Sequence, residues 1–436
     1  MTGAAAQVGQ CLTHLFGRRP AFGIRAWDGS SDGTHAGPTV VLHGPAALRH
    51  IIWAPGELGV SRAYVAGDLD VEGDIEDGLA AVLTDLGGAR PRITPATVAR
   101  ALAAAHRLGA LGSPPKRPES EARPTGRLHS RERDAGVISH HYDLSNRFYQ
   151  LLLDRSMAYS CGYWTSDDEG YSLADAQRDK LDLICRKLDL RPGARLLDVG
   201  CGWGALTVHA AREYGTSVTA VTVSAEQRAF VAGRLDDDGV GHLVDLRLCD
   251  YRDVLAQADG RFDAVAAIEM GEHVGDSEYP AFVAGLHASL RPGGRFLLQV
   301  MSRGGHHPGG GPFIERYIAP DMHMRPLDRT LALVGAAGFE IRDVHALREH
   351  YARTIRAWRA QMEARWVEVV ALIGAEQARV WRLYLAGGAL SFEANRMGVD
   401  QVLAVRTAVD GGSGMEPTRV GWDQPGRRPA ARGAQA

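Results

Sequence analysis

The spacing of apolar and polar positions predicts an α/β domain in the second half of the chain. From Ala194 onward, short apolar runs of the kind that form buried strands alternate with segments whose apolar residues recur at helical spacing. The strand-like runs are 195–199, 217–223, 243–248, 262–268 and 295–301. This order predicts a doubly wound, mostly parallel sheet with helices on both faces.

A second, smaller pattern lies near the N-terminus. Residues 40–42 are apolar and predict a strand, whereas 46–52, 58–65 and 75–83 carry helical periodicity. Together they predict a small α+β domain. The full division we expect is a domain over residues 1–112, a flexible linker rich in Pro, Arg, Glu, Ser and Gly over 113–135, a catalytic domain over 136–406 and a disordered tail over 407–436.

Composition and charge narrow the functional classes. The chain has 436 residues and a formal net charge of -3, which favours neither nucleic acid nor an anionic surface as a partner. Its five cysteines lack paired metal-ligand spacing, so we expect a reducing compartment and no metal. No apolar stretch reaches the roughly 20 residues of a membrane span, and the N-terminus lacks the order of a secretory signal. We expect a cytoplasmic protein, with peripheral membrane contact and a homodimer left open.

The stretch Leu196-Leu197-Asp198-Val199-Gly200-Cys201-Gly202-Trp203-Gly204 carries the clearest chemical signal. It predicts a buried strand that ends in a glycine-rich turn, where the backbone can approach a ligand that any Cβ would exclude. The pattern D-x-G-x-G-x-G resembles motif I of the S-adenosylmethionine-dependent methyltransferases. This resemblance implies a Rossmann-like class I methyltransferase sheet and a cofactor site at Asp198, Gly200, Gly202 and Gly204.

Two further strand ends supply candidates for the same site. After the second strand, Thr222 and Gln227 offer uncharged groups for the ribose hydroxyls, although Ser224 also reads as an ordinary helix N-cap there. After the third strand, Asp250, followed by Tyr251, could accept from the adenine amino group. A lone aspartate at a strand end is otherwise a common turn former.

Several segments outside this motif resemble one family, the cyclopropane-fatty-acyl-phospholipid synthases and mycolic acid cyclopropane synthases. They are the segments Ser139–Tyr149, Met157–Trp164, Gly271–Gly275, Phe313–Pro320 and His350–Trp358. The resemblance implies that the enzyme adds a methylene from S-adenosylmethionine across a cis double bond of an unsaturated phospholipid acyl chain. It also implies that Tyr142, Tyr159 and Ser160 contact the cofactor.

The family's bicarbonate-binding cage corresponds to Cys161, Glu272 and Tyr351 in this chain. Gln299 and Met301 stand where the family has a histidine and an isoleucine. A glutamine can donate a hydrogen bond to an anion but cannot shuttle a proton. Two products therefore stay open. One is a cyclopropane closed with the help of bound bicarbonate, and the other is a methylene-branched chain without a ring.

Aromatic residues in the matching segments are candidates to line the path of a carbocation, because ring faces stabilise a cation without capturing it. They are Tyr142, Tyr159, Tyr163, Trp164, Tyr317, Tyr351 and Trp358. An ordinary aromatic core is the alternative interpretation. Two rival functions also remain from the sequence, namely methylation of a small-molecule alkene and non-catalytic binding of lipid or cofactor.

Overall fold

A computed structural model describes residues 3–34, 37–86, 91–122, 145–257, 259–304, 309–419 and 422. Tyr142, most of the predicted linker and most of the predicted tail lie outside these residues. Within the described ranges, every helix falls short of the length and apolar character that a membrane span requires.

The chain divides into two compact units. The first contains residues 1–123, 311–318 and 362–390, and the second contains 124–310, 319–361 and 391–436. Residues 311–318 and 362–390 were expected in the catalytic domain, so the structure differs on this point. The reason is that these later segments fold back and pack as part of the first unit. Arg379 donates hydrogen bonds to the carbonyls of Tyr64 and Leu69, at 2.6 and 2.7 Å, and pairs with Asp70 at 3.0 Å. A boundary drawn from composition along the chain cannot detect such a return.

The first unit has a four-stranded sheet in the order β2-β1-β3-β4, in which β1 and β3 are parallel and the other pairs are antiparallel. The predicted strand and three helices near the N-terminus are confirmed within a few residues. The elements are α1 (Ala4–Phe16), β1 (Gly23–Arg25), β2 (Ser31–Asp32), β3 (Thr39–Leu42), α2 (Pro45–Trp53), α3 (Glu57–Val65), β4 (Leu69–Glu72), α4 (Ile75–Leu86) and α5 (Pro95–Arg107).

The second unit has a seven-stranded sheet in the order β10-β11-β9-β8-β5-β6-β7. Strands β5 to β9 are parallel, and β11 runs antiparallel between β9 and β10. The expected α/β class is therefore confirmed. The strands are β5 (Arg195–Val199), β6 (Ser217–Thr222), β7 (Val244–Leu248), β8 (Phe262–Ile268), β9 (Leu290–Ser302), β10 (Glu340–Ala346) and β11 (Gly398–Val405).

Helices cover both faces of this sheet, and two apolar cores form between sheet and helices, one containing Leu298 and Phe282 and the other Leu196 and Leu206. The helices from the described part of the chain after residue 145 are α6 (Asn146–Leu152), α7 (Leu173–Lys187), α8 (Ala205–Tyr214), α9 (Ala225–Asp237), α10 (Tyr251–Leu255), α11 (Tyr279–Ser289), α12 (Pro312–Tyr317), α13 (Leu327–Ala336), α14 (Arg348–Ala364), α15 (Trp366–Ile373) and α16 (Ala375–Glu393).

Parts of the predicted linker and tail are packed. In the linker, Glu121 is buried and pairs with Arg62 at 2.7 Å. In the tail, Trp422 is 5% exposed and lies against Leu183 and Leu403. Its carbonyl accepts from Arg186 Nε at 3.1 Å. The prediction of a flexible linker and a disordered tail is thus wrong for these described residues, because a buried ion pair and a buried indole each anchor a segment of polar composition.

Candidate active site

The glycine turn after β5 lies at the carboxyl edge of the sheet. Gly200 has φ +79° and hydrogen-bonds from its amide to the Val221 carbonyl at 3.1 Å. A Cβ on Gly200 would lie 2.9 Å from the Met270 side chain, whereas the space beside Gly202 is open. Gly204 has another task. It precedes α8, and a Cβ there would lie 3.0 Å from Val231, so this glycine allows helix packing.

A cavity opens beside this turn, between the carboxyl ends of β5 to β8 and the segment 157–160. Most of the cofactor residues predicted from the sequence line it. They are Tyr159, Ser160, Asp198, Gly200, Gly202, Thr222, Gln227, Asp250 and Tyr251. Gly204 is not among the lining residues, and Tyr142 lies outside the described part of the chain.

The two strand-end candidates combine structural and lining roles. Thr222 Oγ1 donates to Gln227 Oε1 at 2.8 Å, so these uncharged groups hold each other in the cavity wall. Ser224 caps α9 by accepting from the Gln227 amide at 3.2 Å. Asp250 caps α10 by accepting from the Arg252 amide at 2.8 Å. The helix-capping interpretation is confirmed for Ser224 and Asp250, and cofactor contact by Thr222, Gln227 and Asp250, which line the cavity, stays a prediction.

Asp198 and Lys180 are two buried ionisable residues that line the cavity. Asp198 is buried and accepts from Thr207 Oγ1 at 2.7 Å, and burial raises the pKa of its carboxyl to about 6. Lys180, on α7, is 1% exposed and donates to Ser160 Oγ at 2.9 Å. Desolvation lowers the pKa of its ammonium, while nearby carboxylates, Glu269 first among them, oppose that change. Lys180 could not be identified from the sequence, because its burial depends on neighbours distant in the chain.

Three of the four predicted catalytic residues converge on one side chain, that of Glu269. Its Oε1 accepts from the Cys161 amide at 2.9 Å and from Gln299 Nε2 at 2.7 Å, and its Oε2 accepts from the Tyr351 hydroxyl at 2.5 Å. Glu269 also lines the cavity. The sequence analysis missed it, although an acidic residue placed directly after β8 at the ligand-binding edge of the sheet was an available signal.

Glu272, the carboxylate predicted for this role, has a different environment. It is fully buried, is not among the residues that line the cavity, and accepts from the Met301 amide at 2.5 Å. Its Oε2 has no hydrogen-bond partner among the described residues. Burial, reinforced by the charge of Glu269, raises the pKa of the Glu272 carboxyl to about 8. Glu272 therefore favours its protonated form at neutral pH, whereas Glu269 accepts three hydrogen bonds that stabilise its ionised form.

Cys161 contributes its backbone rather than its thiol. The side chain is fully buried, and its Sγ lies 3.6 Å from the Leu347 carbonyl. Burial raises the pKa of the thiol well above its usual value, which disfavours the thiolate that a nucleophile requires.

The aromatic candidates separate into two groups. Tyr159, Tyr351 and Trp358 come together, with the Trp358 ring centroid 5.1 Å from Tyr159 and 6.0 Å from Tyr351. Tyr163 and Trp164 face His350 and Tyr171 instead. Tyr317 belongs to the first unit and packs on Phe313.

The cavity residues fit S-adenosylmethionine. The turn at Gly200 and Gly202 gives a backbone surface without side chains, and the open space beside Gly202 admits a ligand. Asp198 supplies a buried acidic group, and apolar side chains such as Leu206 and Val221 complete the wall. Among the described residues, no group of three His, Cys, Asp or Glu side chains could hold a metal ion.

This sheet order and cavity define a class I S-adenosylmethionine-dependent methyltransferase. The family model for mycolic acid cyclopropane synthetase matches residues 129–402. A probable fatty acid methyltransferase of Mycobacterium tuberculosis is 37% identical over 408 residues, which are 91% of this chain and 93% of that protein. The chain belongs to the mycolic acid cyclopropane synthetase family, whose enzymes methylate lipid acyl chains with S-adenosylmethionine as cofactor.

Three further comparisons bear on substrate and fold. The cyclopropane-fatty-acyl-phospholipid synthase of Escherichia coli K12 is 35% identical over 284 residues, covering 65% of this chain and 71% of that protein. The tuberculostearic acid methyltransferase of Mycobacterium tuberculosis is 33% identical over 395 residues, or 86% of each chain. A crystal structure of a mycolic acid cyclopropane synthase with SAH and CTAB matches with a TM-score of 0.57 and 32% identity, covering 62% of this chain and 97% of that one.

Proposed function

We propose that this enzyme methylates the cis double bond of an unsaturated phospholipid acyl chain and closes a cyclopropane ring. The observation that carries the proposal is the convergence of Cys161, Gln299 and Tyr351 on one carboxylate that faces the cofactor cavity. A base at that position, next to the paired rings of Tyr351 and Trp358, is what carbocation chemistry on an alkene requires.

The site residues meet two demands of this chemistry. S-adenosylmethionine, when bound, supplies an electrophilic methyl group. An alkene is a weak nucleophile, so the protein must hold it in line with that group and exclude water. The walls near the carboxylate suit this task, because Cys161 is fully buried and Tyr351 and Trp358 are 5% and 1% exposed.

Ring closure follows from loss of one proton. After methyl transfer, the lipid has a new carbon–carbon bond and a cationic carbon beside it. When a base removes a proton from the new methyl group, the electron pair of that C–H bond forms the second bond of the ring. The aromatic faces stabilise the cation until this happens without forming a bond to it.

A second product is favoured by Gln299 and by the relatives. If a hydride first moves from the methylated carbon to the cationic one, loss of a methyl proton gives a methylene branch instead of a ring. Gln299 stands where the family resemblance implies a histidine. The relatives that match most of this chain include the tuberculostearic acid methyltransferase, which is not named as a cyclopropane synthase.

The test is mass spectrometry of fatty acids from a host that expresses the chain and receives methionine with a trideuterated methyl group. Both products retain two deuterium atoms, because each loses one deuteron from the transferred methyl group, so deuterium NMR must then distinguish ring positions from vinylic ones. Ring signals support the cyclopropane, and vinylic signals support the methylene branch. An unlabelled lipid pool contradicts both.

The phospholipid, as opposed to a small alkene, is tested with purified protein. Vesicles of dioleoyl phosphatidylglycerol present a cis double bond, and vesicles of the saturated dipalmitoyl lipid serve as the matched control. Binding to both vesicles with label only in the dioleoyl lipid supports a membrane-associated enzyme. Absence of binding and of label favours a soluble alkene substrate. Peripheral membrane contact in a cytoplasmic setting is part of this proposal.

A further inference from the structure

The anion position of this site is already filled by the protein. The family resemblance implies a bicarbonate cage at Cys161, Glu272 and Tyr351, with Gln299 in place of the family's histidine. Cys161, Gln299 and Tyr351 each carry a hydrogen-bond donor. In this structure, the hydrogen-bond donors on all three point at Glu269, with separations of 2.9, 2.7 and 2.5 Å. A bound bicarbonate would need the same donors and the same space. The residues present therefore do not fit bicarbonate.

The backbone is held in an unfavourable conformation to place this carboxylate. Glu269 has φ +51°, a left-handed value that a residue with a Cβ adopts reluctantly. Its amide donates to the Gln299 carbonyl at 2.7 Å, which continues the pairing of β8 with β9 for one residue past the strand. A strained backbone conformation persists only where the surrounding structure holds the residue in place, and such residues are concentrated at functional sites.

The orientation of the Gln299 amide is determined by a chain of donors. Lys187 Nζ has only hydrogens to offer and donates to Gln401 Oε1 at 3.0 Å. The Gln401 amide nitrogen must then be its other end, and it donates to Gln299 Oε1 at 3.0 Å. Gln299 therefore presents Nε2 to Glu269. Since Gln299 and Gln401 are both fully buried, water does not compete for these bonds.

The hydrogen-bond donors of the site favour Glu269 over Glu272 as the base. Glu269 accepts three donors, and Lys180 supplies a positive charge nearby. Glu272 accepts from one amide through Oε1 and favours its protonated form at neutral pH, as described above. Desolvation raises the pKa of both carboxyl groups, but the three hydrogen bonds to Glu269 oppose that rise, so Glu269 is the better placed of the two to be ionised.

We propose that Glu269 replaces bicarbonate as the base of this enzyme, so that the reaction is independent of bicarbonate. This inference rests on the proposed function. The C–H bond of the new methyl group breaks, its electron pair forms the new carbon–carbon bond, and the proton passes to a Glu269 carboxylate oxygen. The proton leaves to solvent after product release. Gln299 is a positioning residue, because it orients and stabilises the carboxylate.

The experiment compares the purified full chain with Glu269→Gln and Glu269→Gly on dioleoyl phosphatidylglycerol vesicles, in buffer stripped of carbon dioxide and again with added bicarbonate. We expect the wild type to change less than twofold between the two buffers. Glu269→Gln should lose about 100-fold or more, in the range of general-base effects. Its affinity for S-adenosylhomocysteine, measured by calorimetry, should stay within a few fold of the wild-type value.

Glu269→Gly provides a rescue test. Glycine accepts the left-handed backbone without strain and empties the space of the carboxylate. We expect this variant to be inactive in stripped buffer and to regain activity with bicarbonate or acetate. With ¹³C-bicarbonate, NMR line broadening should be seen with Glu269→Gly and not with the wild type. Glu278→Gln, the same change at an exposed position nearby, is the control for carboxyl loss.

The outcomes separate the two proposals. A wild type that makes labelled lipid but needs added bicarbonate overturns the role of Glu269 and leaves the proposed function standing. Retention of more than a third of the activity by Glu269→Gln also overturns it. A wild type that labels no lipid in either buffer overturns the proposed function, and this inference with it.

Discussion

Replacing Tyr351 by Phe removes one donor from Glu269 and changes little else. The ring remains 4.5 Å from Phe392 and 6.0 Å from Trp358, so the packing of α14 at this point is retained. The lost bond, at 2.5 Å, joins a hydroxyl to a carboxylate. Hydrogen bonds to charged groups contribute about 1.5–3 kcal/mol, which corresponds to a change of about 1–2 units in the pKa of the acceptor.

The direction of the effect follows from the role of Glu269 as a base. Desolvation already raises the pKa of its carboxyl above the usual value, and its three donors oppose that rise. Loss of the Tyr351 donor raises the pKa further. Because the base must be ionised, activity falls as pH decreases through this pKa. We therefore expect the acidic limb of the pH–rate profile of Tyr351→Phe to move to higher pH by about 1–2 units.

The assay is a single-turnover measurement of labelled lipid between pH 5 and 9, with S-adenosylhomocysteine affinity recorded for each variant. Tyr171→Phe is the matched control, since its hydroxyl also bonds a carboxylate, that of Asp179 at 2.6 Å, but outside the cavity lining. Its profile should equal that of the wild type. An acidic limb of Tyr351→Phe that stays in place or moves to lower pH would refute the reasoning.

Three further predictions concern stability and cofactor binding. Glu272→Gln should stabilise the fold increasingly from about pH 4.5 to about pH 8, because with a pKa of about 8 the folded wild type holds a proton that the unfolded chain releases. The gain in the free energy of unfolding should be a few kcal/mol at most, and it is measured from urea midpoints at pH 5.5 and 8. Equal gains at the two pH values would contradict this prediction. Asp198→Asn keeps an acceptor for Thr207 but removes the charge, so S-adenosylhomocysteine affinity should fall roughly 10-fold or more by calorimetry, and unchanged affinity would exclude a cofactor contact. Trp422→Ala should lower the free energy of unfolding by about 2–4 kcal/mol, whereas the exposed Val409→Ala should stay within about 0.5 kcal/mol; equal melting curves would mean that the tail does not pack.

Local patterns were sufficient to predict the strands of the catalytic sheet. The predicted runs 195–199 and 262–268 coincide with β5 and β8, since buried parallel strands are short and uniformly apolar. The sequence Pro292-Gly293-Gly294 is typical of a turn between elements, but the structure differs here. Strand β9 already begins at Leu290, and Gly293 takes φ +75° within it, where the pairing with β8 is irregular. The same residues that end a strand in one context form a bulge in another.

Some residues of the site could be predicted from the sequence and others could not, because strand order determines the position of the first group and the folded backbone that of the second. Cofactor residues follow strands in a fixed order, so Asp198, Thr222 and Asp250 were located by position along the chain and all line the cavity. The partner of Cys161 and Tyr351 depends instead on which carboxylate turns toward them. Glu269 and Glu272 are one helical turn apart in sequence, and only the folded backbone, with its left-handed residue at 269, decides between them.

The pairing of Glu269 with Gln299 explains why a glutamine suits this position. A histidine beside an ionised carboxylate would take up a proton, and the resulting ion pair would lower the basicity of that carboxylate. An amide donates one hydrogen bond and stays neutral at every pH in the working range. Lys187 is fully buried and pairs with Asp343 at 3.3 Å, so its charge is compensated away from the base, and it reaches Glu269 only through the dipoles of Gln401 and Gln299. The network thus fixes the direction of the Gln299 donor without adding a charge next to Glu269, which leaves the carboxylate oriented and still able to accept a proton.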